Sequence, residues 1–195
     1  MTTLLDMHVH AWDIAQITQV VHMADSCGYK AYTLLGLSAY RPSLIGNNSV
    51  SLLSKLTDPD RAYAFASLIH PLRHPEDALD QAKEFMSVGY DGIKMLEGKP
   101  CCRKRTGMPL QGDFYLPFYR YLEKEQIPIL YHINDPDTFW DPDRCPSWAR
   151  RSGWFWGNGE YLRKEEVEKE ALEVLNRFPD LRVIFSVNPN PETTP

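Results

Sequence analysis

Several things are scarce or missing in this chain of 195 residues. It has four cysteines, Cys27, Cys101, Cys102 and Cys145, and no Cys-x-x-Cys. Two of them are adjacent, which makes a poor disulfide framework and points to reduced thiols in a cytoplasmic protein. There is no basic excess: 21 Lys and Arg stand against 26 Asp and Glu, for a net charge of −5, which argues against nucleic acid as a partner. No apolar run approaches the length of a membrane span. Met1-Thr2-Thr3 leads straight into an apolar run, without the layout of a signal peptide. No glycine occurs between Asp6 and Asp13, so the first strand is not followed by the phosphate loop of a doubly wound nucleotide-binding sheet. What remains is 43% hydrophobic and 12% aromatic, enough for a sizeable core in one domain or a large piece of one.

Apolar patterning predicts strands over residues 4–8, 31–35, 63–69, 92–96, 127–132 and 182–186. Helical spacing fills the intervals. Ile14, Ile17, Val20, Val21 and Ala24 follow Asp13, a candidate N-cap, and Cys27-Gly28 ends that helix. A polar loop over 38–48 leads to a helix over 49–56. Pro75, Glu76 and Asp77 open a helix whose core face is Ala78, Leu79, Ala82, Phe85 and Met86. Further helices are predicted over 116–125 and 165–178, the latter with Val167, Ala171, Leu172, Val174, Leu175 and Phe178 on its apolar side. Two long irregular loops, 97–113 and 133–160, follow the fourth and fifth strands, and the second holds four of the five tryptophans.

Asp6-Met7-His8-Val9-His10 closes the first strand. Residues two apart on a strand share a face, so Asp6, His8 and His10 line up together. Two neutral imidazoles at one strand end can grip a divalent ion such as zinc; a pair of hydrogen-bonded core histidines is the plainer alternative. Other histidines end later strands, His70 the third and His132 the fifth, while His22 and His74 read as surface residues.

Strand–helix alternation implies parallel pairing with right-handed crossovers. Chemistry gathered at the C-terminal ends of several strands favours a (β/α)₈ TIM-type barrel over a doubly wound sheet. Complete barrels need eight units over about 250 residues. The expectation is therefore an α/β fold, an incomplete barrel of about six units over 1–186, with an irregular proline-rich tail over 187–195.

The stretches Leu5-Asp-Met-His-Val-His10, Phe65-Ala-Ser-Leu-Ile-His-Pro71, Gly89-Tyr-Asp-Gly-Ile-Lys-Met95, Ile127-Pro-Ile-Leu-Tyr-His132 and Phe178-Pro-Asp-Leu-Arg-Val-Ile-Phe185 resemble, in order, the amidohydrolase superfamily in its amidohydrolase-related branch. The resemblance implies one divalent metal, zinc by default, held by His8, His10 and His132. It implies that Asp6 fixes an imidazole or a nearby backbone group behind them. Some superfamily members carry a carbamylated lysine where Lys94 stands; a structural lysine is expected here. The implied activity is hydrolysis of an amide, lactone or related bond in a small molecule by metal-activated water. Non-oxidative decarboxylation occurs in the same branch. Two family features are not found: Val187 stands where a strand-six histidine belongs, and no strand-eight aspartate follows, so the catalytic acid–base residues stay unassigned. A barrel fragment without catalysis is the reading from another class. Arg103 and Arg105 could meet a substrate carboxylate or form a solvated charge run with Lys104. Trp140 and its loop could cover a substrate, pack as a flap or contact a second subunit. Six strands leave strands one and six as apolar open edges, from which aggregation or a homo-oligomer is expected.

Overall fold

The computed structural model describes residues 4–186; the proline-rich tail lies outside them. Six strands, β1 (Leu5–Val9), β2 (Ala31–Leu35), β3 (Ala62–Ser67), β4 (Gly92–Met95), β5 (Ile129–Tyr131) and β6 (Val183–Phe185), form one sheet in sequential order. Every neighbouring pair is parallel, in registers such as Leu5↔Ala31, Phe65↔Gly92 and Leu130↔Ile184. The helices α1 (Ile17–Cys27), α2 (Asn48–Thr57), α3 (Pro75–Ser87), α5 (Leu116–Lys124) and α7 (Lys164–Arg177) fill the crossovers. The sheet curls into a half-barrel. No helix among the described residues is long and apolar enough to cross a membrane.

The strand period of two sorts the side chains. Ala64, Ala66, Ile93, Met95, Ile129 and Tyr131 face outward into the main core with α3, α5 and α7. Val9 and Leu34 face outward against α1. The opposite parity faces the barrel axis, where Leu35, Phe65 and Leu130 pack with Ile184. Gly92 belongs to that inner layer, and a Cβ there would stand 2.7 Å from the Phe65 ring. Lys94 pairs in register with Leu130, so it also points inward. His8, His10 and His132 share that parity.

Several local expectations are corrected. Asp13 precedes a 3₁₀ turn, Ile14–Gln16, and makes no capping hydrogen bond. Asp77 instead secures its helix, taking the N–H groups of Arg73 and His74 at 2.6 and 3.0 Å. The two loops expected to be irregular carry short helices, α4 (Pro100–Thr106) and α6 (Ser147–Arg151). Leu172, assigned to a buried helix face, is 59% exposed. β1 and β6 are not hydrogen-bonded to each other.

Candidate functional site

The strand ends bring His8, His10 and His132 to the wall of one cavity of ≈ 130 Å³, with Trp12, Leu37, Tyr40, Leu96, Lys99 and Trp154. The Nε2 atoms of His8 and His10 lie 3.0 Å apart, their rings edge to face. His10 Nδ1 is 3.2 Å from the Leu35 carbonyl, which can only accept. The proton of neutral His10 is therefore on Nδ1, and its Nε2 lone pair faces His8. Metal-free His8 then carries its proton on Nε2, facing that lone pair, and its Nδ1 accepts from the Ser186 hydroxyl at 2.8 Å. Asp6 accepts the His8 backbone N–H at 3.0 Å.

Electrostatics keep these imidazoles neutral. Burial first, then the positive charge of Lys94, lowers His10 from 6.5 to about 4. His132 is likewise lowered to about 4 by burial, against the opposing pull of Asp135. His8 moves the same way, through partial burial of its ring and then Lys94, although the residue as a whole stays exposed at the gap. Lys94 is fully buried, its Nζ has no hydrogen-bond partner among the described residues, and burial brings it down to about 7. Neutral nitrogens in this number are the donor chemistry a zinc ion requires. Two of the three meet as close as ligands of one ion do. The third lines the same cavity, but among the described residues no three His, Cys, Asp or Glu side chains are drawn close enough together to enclose an ion.

The remaining candidates are engaged elsewhere. Arg103 makes a two-pronged ion pair with Glu170 of α7 at 2.9 and 2.9 Å. Arg105 donates to the carbonyls of Ala39 and Tyr40. Trp140 Nε1 donates to the Leu162 carbonyl at 3.1 Å, and its ring lines a different hollow, with Trp156 and Tyr161. None of the three lines the histidine cavity. They tie α4 and the tryptophan loop to the barrel.

Sequence reading passed over several residues that build this face. Glu97, 0% exposed, holds His70 Nε2 at 2.6 Å. Lys99 grips both oxygens of Asp135 at 2.8 Å and lies 4.5 Å from the Trp154 ring centre. Asn47 ties the first two strand-end loops together, donating to Ala11 and Trp12 carbonyls and accepting the Leu37 N–H. Tyr40 accepts hydrogen bonds from Trp154 Nε1 at 2.8 Å and Arg41 Nη2 at 3.1 Å. Both phenol lone pairs are then used, and its O–H proton is left to donate. The available signal was position: Glu97 and Lys99 follow β4, and Asp135 follows β5, at the catalytic end of such folds.

Solved structures share this architecture. A 2,6-dihydroxybenzoate decarboxylase from Rhizobium superposes with a TM-score of 0.59 at 18% identity, over 95% of this chain and 66% of that one. A 4-oxalomesaconate hydratase from Rhodopseudomonas palustris gives 0.59 at 13% identity, over 94% and 62%. An uncharacterised TIM-barrel protein from Bordetella bronchiseptica gives 0.55 at 14% identity, over 94% and 74%. The fold is an incomplete TIM barrel. It is the fold that the amidohydrolase resemblance implies, and the chain spans about two thirds of the length of these structures. No protein-family model matches the sequence, and no curated protein matches it.

Proposed function

We propose that this chain binds one divalent ion, zinc by default, through His8, His10 and His132, and belongs to a metal-dependent hydrolase barrel of the amidohydrolase type. The observation that carries the reading is the pair of Nε2 atoms 3.0 Å apart, with the Nδ1 of His10 committed to Leu35, at the C-terminal ends of parallel strands. The ordered motifs and the TIM-barrel fold support it. A metal bound there would supply Lewis acidity and an acidified water. The chain's own residues do the rest of what can be derived. His10 is oriented by Leu35, and Leu37, Leu96 and Trp154 give the cavity an apolar part of its lining. Tyr40 offers its O–H to an oxygen of a small-molecule substrate. No carboxylate lines this cavity among the described residues, so proton abstraction is not assigned to any of them.

The affinity expected from three protein nitrogens is weak. Equilibrium dialysis against zinc should load one ion per chain, and His10→Ala should abolish loading. Wild-type protein that takes up no divalent ion would remove this function. Amide and lactone panels then test hydrolysis.

Non-oxidative decarboxylation is the second reading. Two of the solved structures with this fold are named 2,6-dihydroxybenzoate decarboxylases. An aromatic wall of Tyr40 and Trp154 beside Lys99 would suit a flat carboxylate. Carbon dioxide release from 2,6-dihydroxybenzoate, with no hydrolysis in the panels, would select it. Metal binding without either turnover would leave a non-catalytic barrel.

A further inference from the structure

We propose that Asp135 is a positioning residue that sets the tautomer of His132 and so decides which of its nitrogens is offered to a metal. The inference rests on the metal-binding function proposed above, but the tautomer can be measured without metal. Asp135 Oδ1 stands 3.4 Å from His132 Nε2, and both side chains are largely buried, at 8% and 16% exposed. Nε2 makes no aligned hydrogen bond at this distance and has no other partner among the described residues. The carboxylate itself is immobilised: Lys99 Nζ is 2.8 Å from both of its oxygens, and Trp156 Nε1 donates to Oδ2 at 3.0 Å.

An ionised carboxylate only accepts. Facing it, neutral His132 must carry its proton on Nε2, because the other tautomer would turn a lone pair toward a negative charge. The Nδ1 lone pair is then free, and it is the nitrogen left to bind an ion. Hydrogen bonds of this kind are often long before the ligand arrives and tighten when it binds. Partners that orient a histidine ligand through its second nitrogen typically change metal affinity by about 10–100-fold when removed.

The same carboxylate anchors the tryptophan loop. Lys99 lies over the rings of Trp154 and Trp156, at 4.5 and 5.6 Å. A loss of affinity in an Asp135 variant could therefore come through the loop instead of through His132, and the test has to separate the two routes.

The experiment compares wild type, Asp135→Asn and Lys99→Met, each checked for folding by circular dichroism. Nitrogen-15 shifts of the histidine rings are recorded on metal-free protein, and zinc affinity is measured by competition with a chromophoric chelator. Wild type should show His132 protonated at Nε2. Asp135→Asn, whose amide can accept or donate, should show mixed tautomers and affinity about 10–100-fold weaker. Lys99→Met, which keeps the carboxylate, should keep the tautomer. Wild-type His132 protonated at Nδ1 overturns the proposal without recourse to any variant. So does Asp135→Asn with unchanged tautomer, whatever its affinity. If wild type binds no zinc, the metal-binding function fails, and the ring shifts still decide whether Asp135 sets His132.

Discussion

The wall from β3 to β5 and the gap between β6 and β1 are made from the same βα unit, yet they are opposites. In the wall, Ile93, Ile129 and Tyr131 are 0% exposed, covered by α3, α5 and α7. At the gap, Leu5 is 53% exposed, Phe185 41% and Leu172 59%. The candidate site straddles the two. His132 and Lys94 belong to the dry wall; His8 stands at the gap and meets Ser186 across it. A strand covered on both faces can hold an unpaired amine at its end, whereas an uncovered one leaves its histidine open to water.

The largest expected contrast is in stability. Phe118→Ala, in the wall's core, should cost about 3–5 kcal/mol in urea unfolding, while Leu5→Ala at the gap should cost far less. Equal costs would mean that the gap is closed in solution, and a sharp cooperative monomer by light scattering would say the same. Arg103→Ala comes next. It strands Glu170 at a site about one-eighth exposed on each side, and should cost roughly 2–3 kcal/mol without changing zinc uptake. Loss of uptake in a folded Arg103→Ala protein would return Arg103 to the binding site.

Acid should separate wall from gap more finely. Folded His10 and His132 lie at about 4, below the ordinary 6.5. Between those values the unfolded chain binds more protons, so stability rises with pH from about 4 to 6.5 and is lost on acidification through that window. Each group contributes up to about 1.4 kcal/mol per pH unit there. Lys94, lowered to about 7 from 10.5, adds a second rise between those values. A flat profile in Lys94→Met above pH 7, beside a sloping wild type, would assign that rise to Lys94; matching slopes would remove the assignment.

Smaller effects remain at the gap. Ser186→Ala removes one hydrogen bond to His8 and should change stability by about 1 kcal/mol, with a modest loss of zinc affinity. Leu172→Lys should leave stability within about 0.5 kcal/mol, and should raise solubility or shift a concentration-dependent oligomer toward monomer. Unchanged association would place any subunit contact away from this face.

The order and direction of the strands were legible because they follow from local periodicity. Period-two alternation put His8 and His10 together on the axis side, but a register shift between Asp6 and Val9 leaves Asp6 opposite Tyr32 on the outer face instead of in line with them. The six apolar runs set the parallel order, with boundaries off by at most two residues and β2 matching at both ends. The partners of Arg103, Arg105 and Trp140 were not legible, because a donor's sequence position says nothing about which acceptor will reach it. Arg105 ended on the carbonyl of Ala39, 66 residues away, and Arg103 on Glu170, 67 residues away.

The chain by itself determined the alternation and the inward parity of the strand-end histidines, since each depends on neighbours within a few positions. Only the tertiary structure decided that Lys99 and Asp135, 36 residues apart, share a buried ion pair, and that Ser186 meets His8 across 178 residues. Those pairings arise from how the sheet curls. Curl is the sum of small twists between strands and of the packing of every helix outside them, and no local pattern of residues encodes the distance at which its two ends come together.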